Sequence, residues 1–514
     1  MRCPILAIPL SLFVLWAAPA IAQTKLQAVK SWTCPPGQTT RLTIDGQGLD
    51  DSLRFLASSP TVELEIESLS ASQAVLQLTV PKDAPRGPMA LWAASAAGPL
   101  PPQVLLVDEL PAVADNGKNH TWAAAQSLAT PCAVEGRCDG SASDFYRFTV
   151  TAGQRLAFEI HTQGLQSAMD PVVRLLGADG TPLRVVDDSL VGPDGRFSHT
   201  FAAAGEFGLQ IQDSRHAAAG SPYHLRLGDF PLLSHCMPLA VSPGERTLIK
   251  FYGPDSQRVA DQMVEIPADS TSRQWSVAVR FPEGVASSWL PLRIQTHASY
   301  VEPQTNPPAT PPAATAASPA TATTSQGEST AGAASAESQR AEERLLVSAN
   351  QPLGISGHLG QPQEIDRYCL QGVAGQRVRV TARARSLGLP TLLNMSLQNT
   401  SGNVVAHTTV GEEDEWSFEF TFPDDAEYQL EVSDLLHRGG EEFGYWIEVA
   451  PAASFALSFA AAATSRQQFA IAEQQGACAV DLEIDRRGGY EGAIDVSLVE
   501  AIPSVKIMNA HISA

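Results

Sequence analysis

Apolar and polar residues alternate with a period of two along most of this chain. TRLTIDG (40–46), DFYRFTV (144–150), FGLQIQD (207–213), WSFEFTF (416–422) and YQLEVSD (428–434) all show it, bounded by Gly, Pro, Asp or Asn. That spacing places every second side chain on one face, which predicts half-buried antiparallel strands. Amphipathic helical patterns are scarce, and TWAAAQSLA (121–129) predicts no more than a short helix or turn. The expected class is all-β: tandem antiparallel β-sandwiches of jelly-roll or immunoglobulin-like type.

One stretch occurs twice. DFYRFTVTAGQR (144–155) returns as DRYCLQGVAGQR (366–377), so Asp144, Tyr146, Gly153, Gln154 and Arg155 match Asp366, Tyr368, Gly375, Gln376 and Arg377. Further along, Phe197 and Phe201 match Phe418 and Phe422, and Glu206, Phe207 and Asp213 match Glu427, Tyr428 and Asp434. Tyr223 matches Tyr445. An ordered series whose offset varies by only one residue predicts a duplicated domain. A weaker series pairs PGQTTRLTIDG (36–46) with PGERTLIKFYG (243–253), and LTVPKDAPRGPMALW (78–92) with VRFPEGVASSWLPLR (279–293). It predicts a smaller sandwich in front of each copy.

Composition changes the picture in three places. Residues 302–343 are Pro, Ala and Thr with almost no larger apolar side chain, so they predict a disordered linker. Residues 1–22 have a basic start, an apolar run and the small-x-small close Ala20-Ile21-Ala22, which predicts a signal peptide cut before Gln23. No later stretch approaches the roughly 20 apolar residues of a membrane span. Export to the periplasm, the cell surface or the medium is therefore expected. The formal charge of −21 excludes nucleic acid as a partner. The expected layout is signal peptide 1–22, Ig-like sandwich 23–108, larger sandwich 109–229, second Ig-like sandwich 230–301, linker 302–343, second larger sandwich 344–450, and a partial β domain over 451–514. In that last segment CAVDLEI (478–484) and AIDVSLV (493–499) predict a hairpin.

Six cysteines remain after cleavage: Cys34, Cys132, Cys138, Cys236, Cys369 and Cys478. The pair Cys132 and Cys138 stays open. An extended AVEGR would hold their Cα atoms about 20 Å apart, beyond the limit of about 7 Å, whereas a turn at Glu135-Gly136 would permit a bridge. Catalytic signatures are absent: there is no H-E-x-x-H, G-x-S-x-G, P-loop or G-x-G-x-x-G. No enzyme activity is expected. His161, His199 and His224 alternate with core positions and read as solvent-facing. Asp187, Asp188 and Asp194 suit a hairpin loop, and Asp144 and Asp366 are expected to cap loop N–H groups.

Residues 110–228 resemble a bacterial pre-peptidase C-terminal (PPC) domain. The resemblance rests on ADNGKNHTWAAAQSL, SDFYRFTVTAGQRLAFEI, LLGADGTPLRVVDDS, GEFGLQIQD and SPYHLRL. Residues 345–450 resemble a second, more divergent copy, and 24–108 and 231–300 are similar to immunoglobulin-like IPT/TIG domains. The resemblance implies secreted, non-catalytic sandwiches that accompany extracellular hydrolases or bind matrix polymers. The expected function is thus an interaction or structural module at the cell envelope or outside the cell, with a protein or polysaccharide partner. The alternative is an accessory region of an extracellular peptidase or other hydrolase whose catalytic part is elsewhere.

The resemblance also implies an acidic E-x-E-x-N-D calcium motif before the first strand. Here that stretch is Asp115-Asn116-Gly117-Lys118-Asn119-His120, with Gly117 and His120 where carboxylates are expected. Asp115 and Asn119, with Asp139 and Asp144 across the loop, are the calcium candidates; turn-making is the competing role. Calcium takes about six to eight oxygens, so two lost carboxylates predict weak or no binding, and no other cofactor is expected.

Overall fold

The computed structural model describes residues 24–302, 343–345, 352–452, 454–459, 482–487, 490, 492–496 and 511–513, apart from short gaps at 60, 97, 189–193, 255–256, 269, 271–273, 282–285 and 411–415. The expected signal peptide, 1–22, and nearly all of the Pro/Ala/Thr segment lie outside these residues. Among the described residues the protein is all-β, with short 3-10 turns as its only helical structure. The long strands pair antiparallel, and short edge strands add in parallel.

Contacts divide the chain into two compact units. The first has two four-stranded sheets. One runs Lys25–Lys30, Thr39–Gln47, Gln73–Thr79, Glu63–Ser70, and the other Thr33–Cys34, Gly98–Val107, Gly87–Ser95, Arg54–Ala57. Leu42, Ile44, Leu76, Leu78, Leu91 and Leu105 are fully buried in it. On an outer face Leu56 is paired across strands with Trp92, and the two are 61% and 50% exposed.

The second unit holds the duplicated sandwich. In the first copy one sheet runs Gln126–Ser127, Asp144–Val150, Gly205–Asp213, Pro171–Leu176, Pro182–Val186. The facing sheet runs Arg196–Thr200, Arg155–His161, Pro222–Gly228, Cys132–Arg137, Ala112–Ala114. The second copy repeats both orders, as Glu343–Leu345, Asp366–Gln371, Glu427–Asp434, Leu393–Gln398, Val404–His407 facing Ala298–Val301, Leu353–His358, Gly444–Pro451, Arg377–Arg383, Trp416–Thr421, with Thr409–Val410 beyond. The repeated AGQR turns are alike. Gly153 and Gly375 have φ of 80° and 77°, a conformation glycine adopts without strain. Their N–H groups bond to the equivalent Phe201 and Phe422 carbonyls, at 2.7 and 2.8 Å.

Between the copies lies a smaller sandwich of two three-stranded sheets. One is His235–Met237, Arg246–Tyr252, Arg258–Glu265 and the other Ala240–Val241, Trp289–Ile294, Gln274–Ala278. Both larger sandwiches meet it through an aromatic–cation layer. On one side Arg226, fully buried, pairs with Glu159 at 2.9 Å and lies over the Phe230 and Trp289 rings, at 4.3 and 4.7 Å. His161 stacks on the same Trp289 at 4.4 Å. On the other side the roles swap: Arg293 lies 4.0 Å over Trp446, whose indole N–H donates to Gln295.

These junctions overturn the reading of His161 and His224 as solvent-facing, while His199 is half-buried. His224 is fully buried and His161 is sandwiched at the junction, because this sheet has both faces covered and alternation no longer separates core from solvent. Three further differences appear. Ala298–Val301, read as part of the second Ig-like segment, pairs with Leu353–His358 of the larger sandwich, as Ala112–Ala114 does with Cys132–Arg137. Leu482–Arg487 pairs with Ser454–Phe459, and Ile494–Asp495 with His511–Ile512, so the described part of the C-terminal segment does not form the expected hairpin; residues 478–481 and 497–499 lie outside it. Cys132, Cys138 and Cys236 are buried free thiols. Cys132 opens the extended strand Cys132–Arg137 and Cys138 follows its last residue, which settles the open pair against a bridge.

Candidate cation site

The loop entering the first larger sandwich is shaped by its own side chains. Asp115 Oδ2 accepts from Gly117 N at 3.2 Å and Asn116 Oδ1 from Lys118 N at 2.8 Å. Asn119 is tied to Phe145 from both sides: its carbonyl accepts Phe145 N–H at 2.8 Å and its amide donates to the Phe145 carbonyl at 3.2 Å. The next residue, His120, is thereby held beside Asp144, the first residue of the neighbouring strand.

There the cluster forms. His120 Nδ1 lies 3.5 Å from Asp144 Oδ1 and 3.6 Å from Asp139 Oδ2. The three donor atoms all fall within 4.8 Å of one another. Asp115 joins indirectly: Tyr146 hydroxyl donates to Asp115 Oδ1 at 2.9 Å and lies 2.5 Å from the Tyr223 hydroxyl, which donates to Asp144 Oδ2 at 2.7 Å. Burial pushes the Asp144 carboxyl up to about 6, and the Asp115 and Asp139 charges push the same way against the Tyr223 hydrogen bond and His120. Burial and those carboxylates also hold both tyrosine hydroxyls well above their usual range.

Of the four residues singled out from sequence, Asp139 and Asp144 come together. Asp115 reaches Asp144 only through the two tyrosines, and Asn119 lies alongside with its Oδ1 buried and unbonded. His120 is the member that sequence reasoning missed. It was scored as a missing carboxylate, although an imidazole is itself a donor.

Among the described residues, the second copy keeps the interior network without the cluster. The Tyr368 and Tyr445 hydroxyls lie 2.6 Å apart and Tyr445 donates to Asp366 Oδ2 at 2.6 Å. The repeated Asp144 and Asp366 each accept from a tyrosine hydroxyl, and at Asp144 the other oxygen takes none of the loop N–H groups expected of it. Loop capping falls to Asp213, which accepts from the N–H groups of Asp170, Ala217 and Ala218, and to Asp434, which accepts from those of Leu392, Leu436 and Arg438. Asp194 caps the turn at Thr162. The network also dictates glycine: a Cβ on Gly136 would overlap the Tyr223 ring, and one on Gly357 the Tyr445 ring.

No family model matches the chain, and no curated protein matches it. Among solved structures it is similar to the pre-peptidase C-terminal domain of collagenase from Bacillus anthracis, at 16% identity over 22% of this chain and 96% of that one, with a TM-score of 0.17. It is also similar to PliG of Aeromonas hydrophila, a periplasmic inhibitor of g-type lysozyme, at 14% identity over 23% and 96%, TM-score 0.17. A third is SGBP-B of the Bacteroides ovatus mixed-linkage glucan utilization locus, at 9% identity over 83% and 74%, TM-score 0.15. Likenesses at these scores carry no functional argument. No described helix is long and apolar enough to cross a membrane.

Proposed function

We propose that this chain is an exported, non-catalytic array of β-sandwiches that acts as an interaction or structural module at the cell envelope or outside the cell. The observation that supports it is what the two larger copies share. Their repeated polar residues, Asp144, Tyr146 and Tyr223 in one and Asp366, Tyr368 and Tyr445 in the other, are buried and bonded to each other. Duplication has preserved a way of holding a sandwich together rather than a reactive site, and function belongs to sites, not folds. Strand faces and edges are then the surface on offer, including the exposed Leu56–Trp92 pair. The partner is a protein or polysaccharide of the envelope or matrix. The test is capture by the immobilised mature chain from a panel of polysaccharides, collagen-like polymers and envelope fractions, run beside a broad hydrolase screen. Saturable retention without turnover is expected; turnover by the purified chain would overturn the reading.

A further inference from the structure

The distances around His120 are informative in themselves. At 3.5 and 3.6 Å they exceed the roughly 3.2 Å of a good N–H···O hydrogen bond. They match the spacing of ligands around a shared ion, since a tetrahedron with bonds of about 2.0–2.1 Å has edges of about 3.3–3.4 Å. A cluster of carboxylates alone would carry little weight, but two buried atoms add a separate mark. Asp144 is 3% exposed and its Oδ1, the oxygen facing His120, has no hydrogen-bond partner, although Oδ2 is taken by Tyr223. Asn119 is fully buried and its Oδ1 is likewise unbonded. Buried oxygens without a donor are costly, and a cation removes that cost.

The donor set decides which cation. Calcium takes oxygen alone and needs about six to eight of them. An imidazole nitrogen with two carboxylates suits zinc and its first-row neighbours, which are satisfied by about four to six ligands. We infer that His120 Nδ1, Asp139 Oδ2 and Asp144 Oδ1 form a binding site for a divalent transition-metal ion of the zinc type, with remaining positions left to water or Asn119. Replacement of a carboxylate by His120 in this loop thus changes the ion rather than abolishing the site. The second copy supplies an internal control. It keeps Asp366 at the Asp144 position but has Gly360 and Gln361 where Asp139 would fall, so one ion per chain is expected, not two.

The inference stands apart from the proposed interaction role and is tested on the mature full-length chain. Equilibrium dialysis and calorimetry with zinc chloride, against calcium chloride, should give one zinc per chain bound more tightly than calcium. His120→Ala and Asp139→Asn should each weaken that zinc by at least about 10- to 100-fold without changing the far-UV circular dichroism. His120→Asp should move the preference toward calcium. Zinc uptake by His120→Ala equal to wild type would overturn the assignment, as would stoichiometric calcium held more tightly than zinc. Should Asp139→Asn misfold, His120→Gln, at an exposed position, provides the second comparison.

Discussion

Arg226→Met isolates the junction between the first larger sandwich and the smaller one. The guanidinium is fully buried, pairs with Glu159 at 2.9 Å, and lies between the Phe230 and Trp289 rings. Removing it leaves the buried Glu159 with His161, at 3.4 Å, as its remaining ion-pair partner among the described residues. Two routes give the size of the effect. Breaking a buried pair from one side costs about 3–5 kcal/mol. Burial pushes the Glu159 carboxyl up, but His161, Arg226 and Arg196 together outweigh it and hold the group at about 2 against 4.5, which at about 1.4 kcal/mol per unit corresponds to about 3 kcal/mol shared among the three partners. The Arg226 share lies within that figure, and the two are not added. The assay is hydrogen exchange read at 222–228 and 286–294 together with urea unfolding of the mature chain. A loss of about 3 kcal/mol is expected in Arg226→Met, largely recovered in Arg226→Met/Glu159→Leu, because an apolar pair carries no stranded charge. A loss under about 1 kcal/mol, or a double variant no better than the single, would refute the reasoning.

Acid should reveal the same group: because the folded-state carboxyl of Glu159 is depressed, its contribution is complete above about pH 4.5 and is lost as pH falls through about 2, so a melting series should show that loss in wild type and not in Glu159→Gln. Gly136→Ala should unfold the first larger sandwich, since its Cβ meets the Tyr223 ring, whereas Gly153→Ala, with open space but φ of 80°, should cost only about 1–2 kcal/mol in denaturant titration. Tyr223→Phe, which removes a donor to the Asp144 carboxylate, should cost about 1.5–3 kcal/mol by the same measurement. Protease cleavage within 303–342 should leave fragments that co-elute in native gel filtration and separate only on denaturation, because Ala298–Val301 and Leu353–His358 belong to one sheet; fragments that part under native conditions would contradict that pairing.

Period-two alternation made the strands legible because each sandwich has one buried and one wet face. It failed at 155–161 and 222–228, where a neighbouring sandwich covers the second face: there Glu159, His224 and Arg226 are as buried as the core, and no local pattern announces a partner some 60 residues away. The duplication was legible from Asp144, Tyr146 and Tyr223 and their counterparts, but their purpose was not. The hydrogen bonds join residues 77 and 79 positions apart, a relation that only the register of the sheets creates. In the cation cluster the carboxylates were visible, while His120 was discounted because a motif built on oxygen leaves no place for nitrogen.

The two copies differ most where the chain passes from the first edge strand of one sheet to the first edge strand of the other. In the first copy Ala112–Ala114 leads to Gln126–Ser127 through the short loop that carries Asp115, Asn119 and His120. In the second, Ala298–Val301 leads to Glu343–Leu345, and the connection is the Pro/Ala/Thr segment. That segment is therefore placed as an insertion within one sandwich rather than a joint between two. What survives at its mouth is Glu302, buried and accepting from His358 N at 3.1 Å. Asp115 and Glu302 each leave the edge strand with the same backbone bond, to the Glu135 and Ser356 carbonyls at 3.0 and 2.9 Å. An acidic residue at this point belongs to the sandwich, and the histidine of the cluster belongs to the loop that follows it. The copies share the Asp–Tyr–Tyr interior, while exchange of that loop removes the His120 counterpart and Gly360 and Gln361 stand where Asp139 would fall.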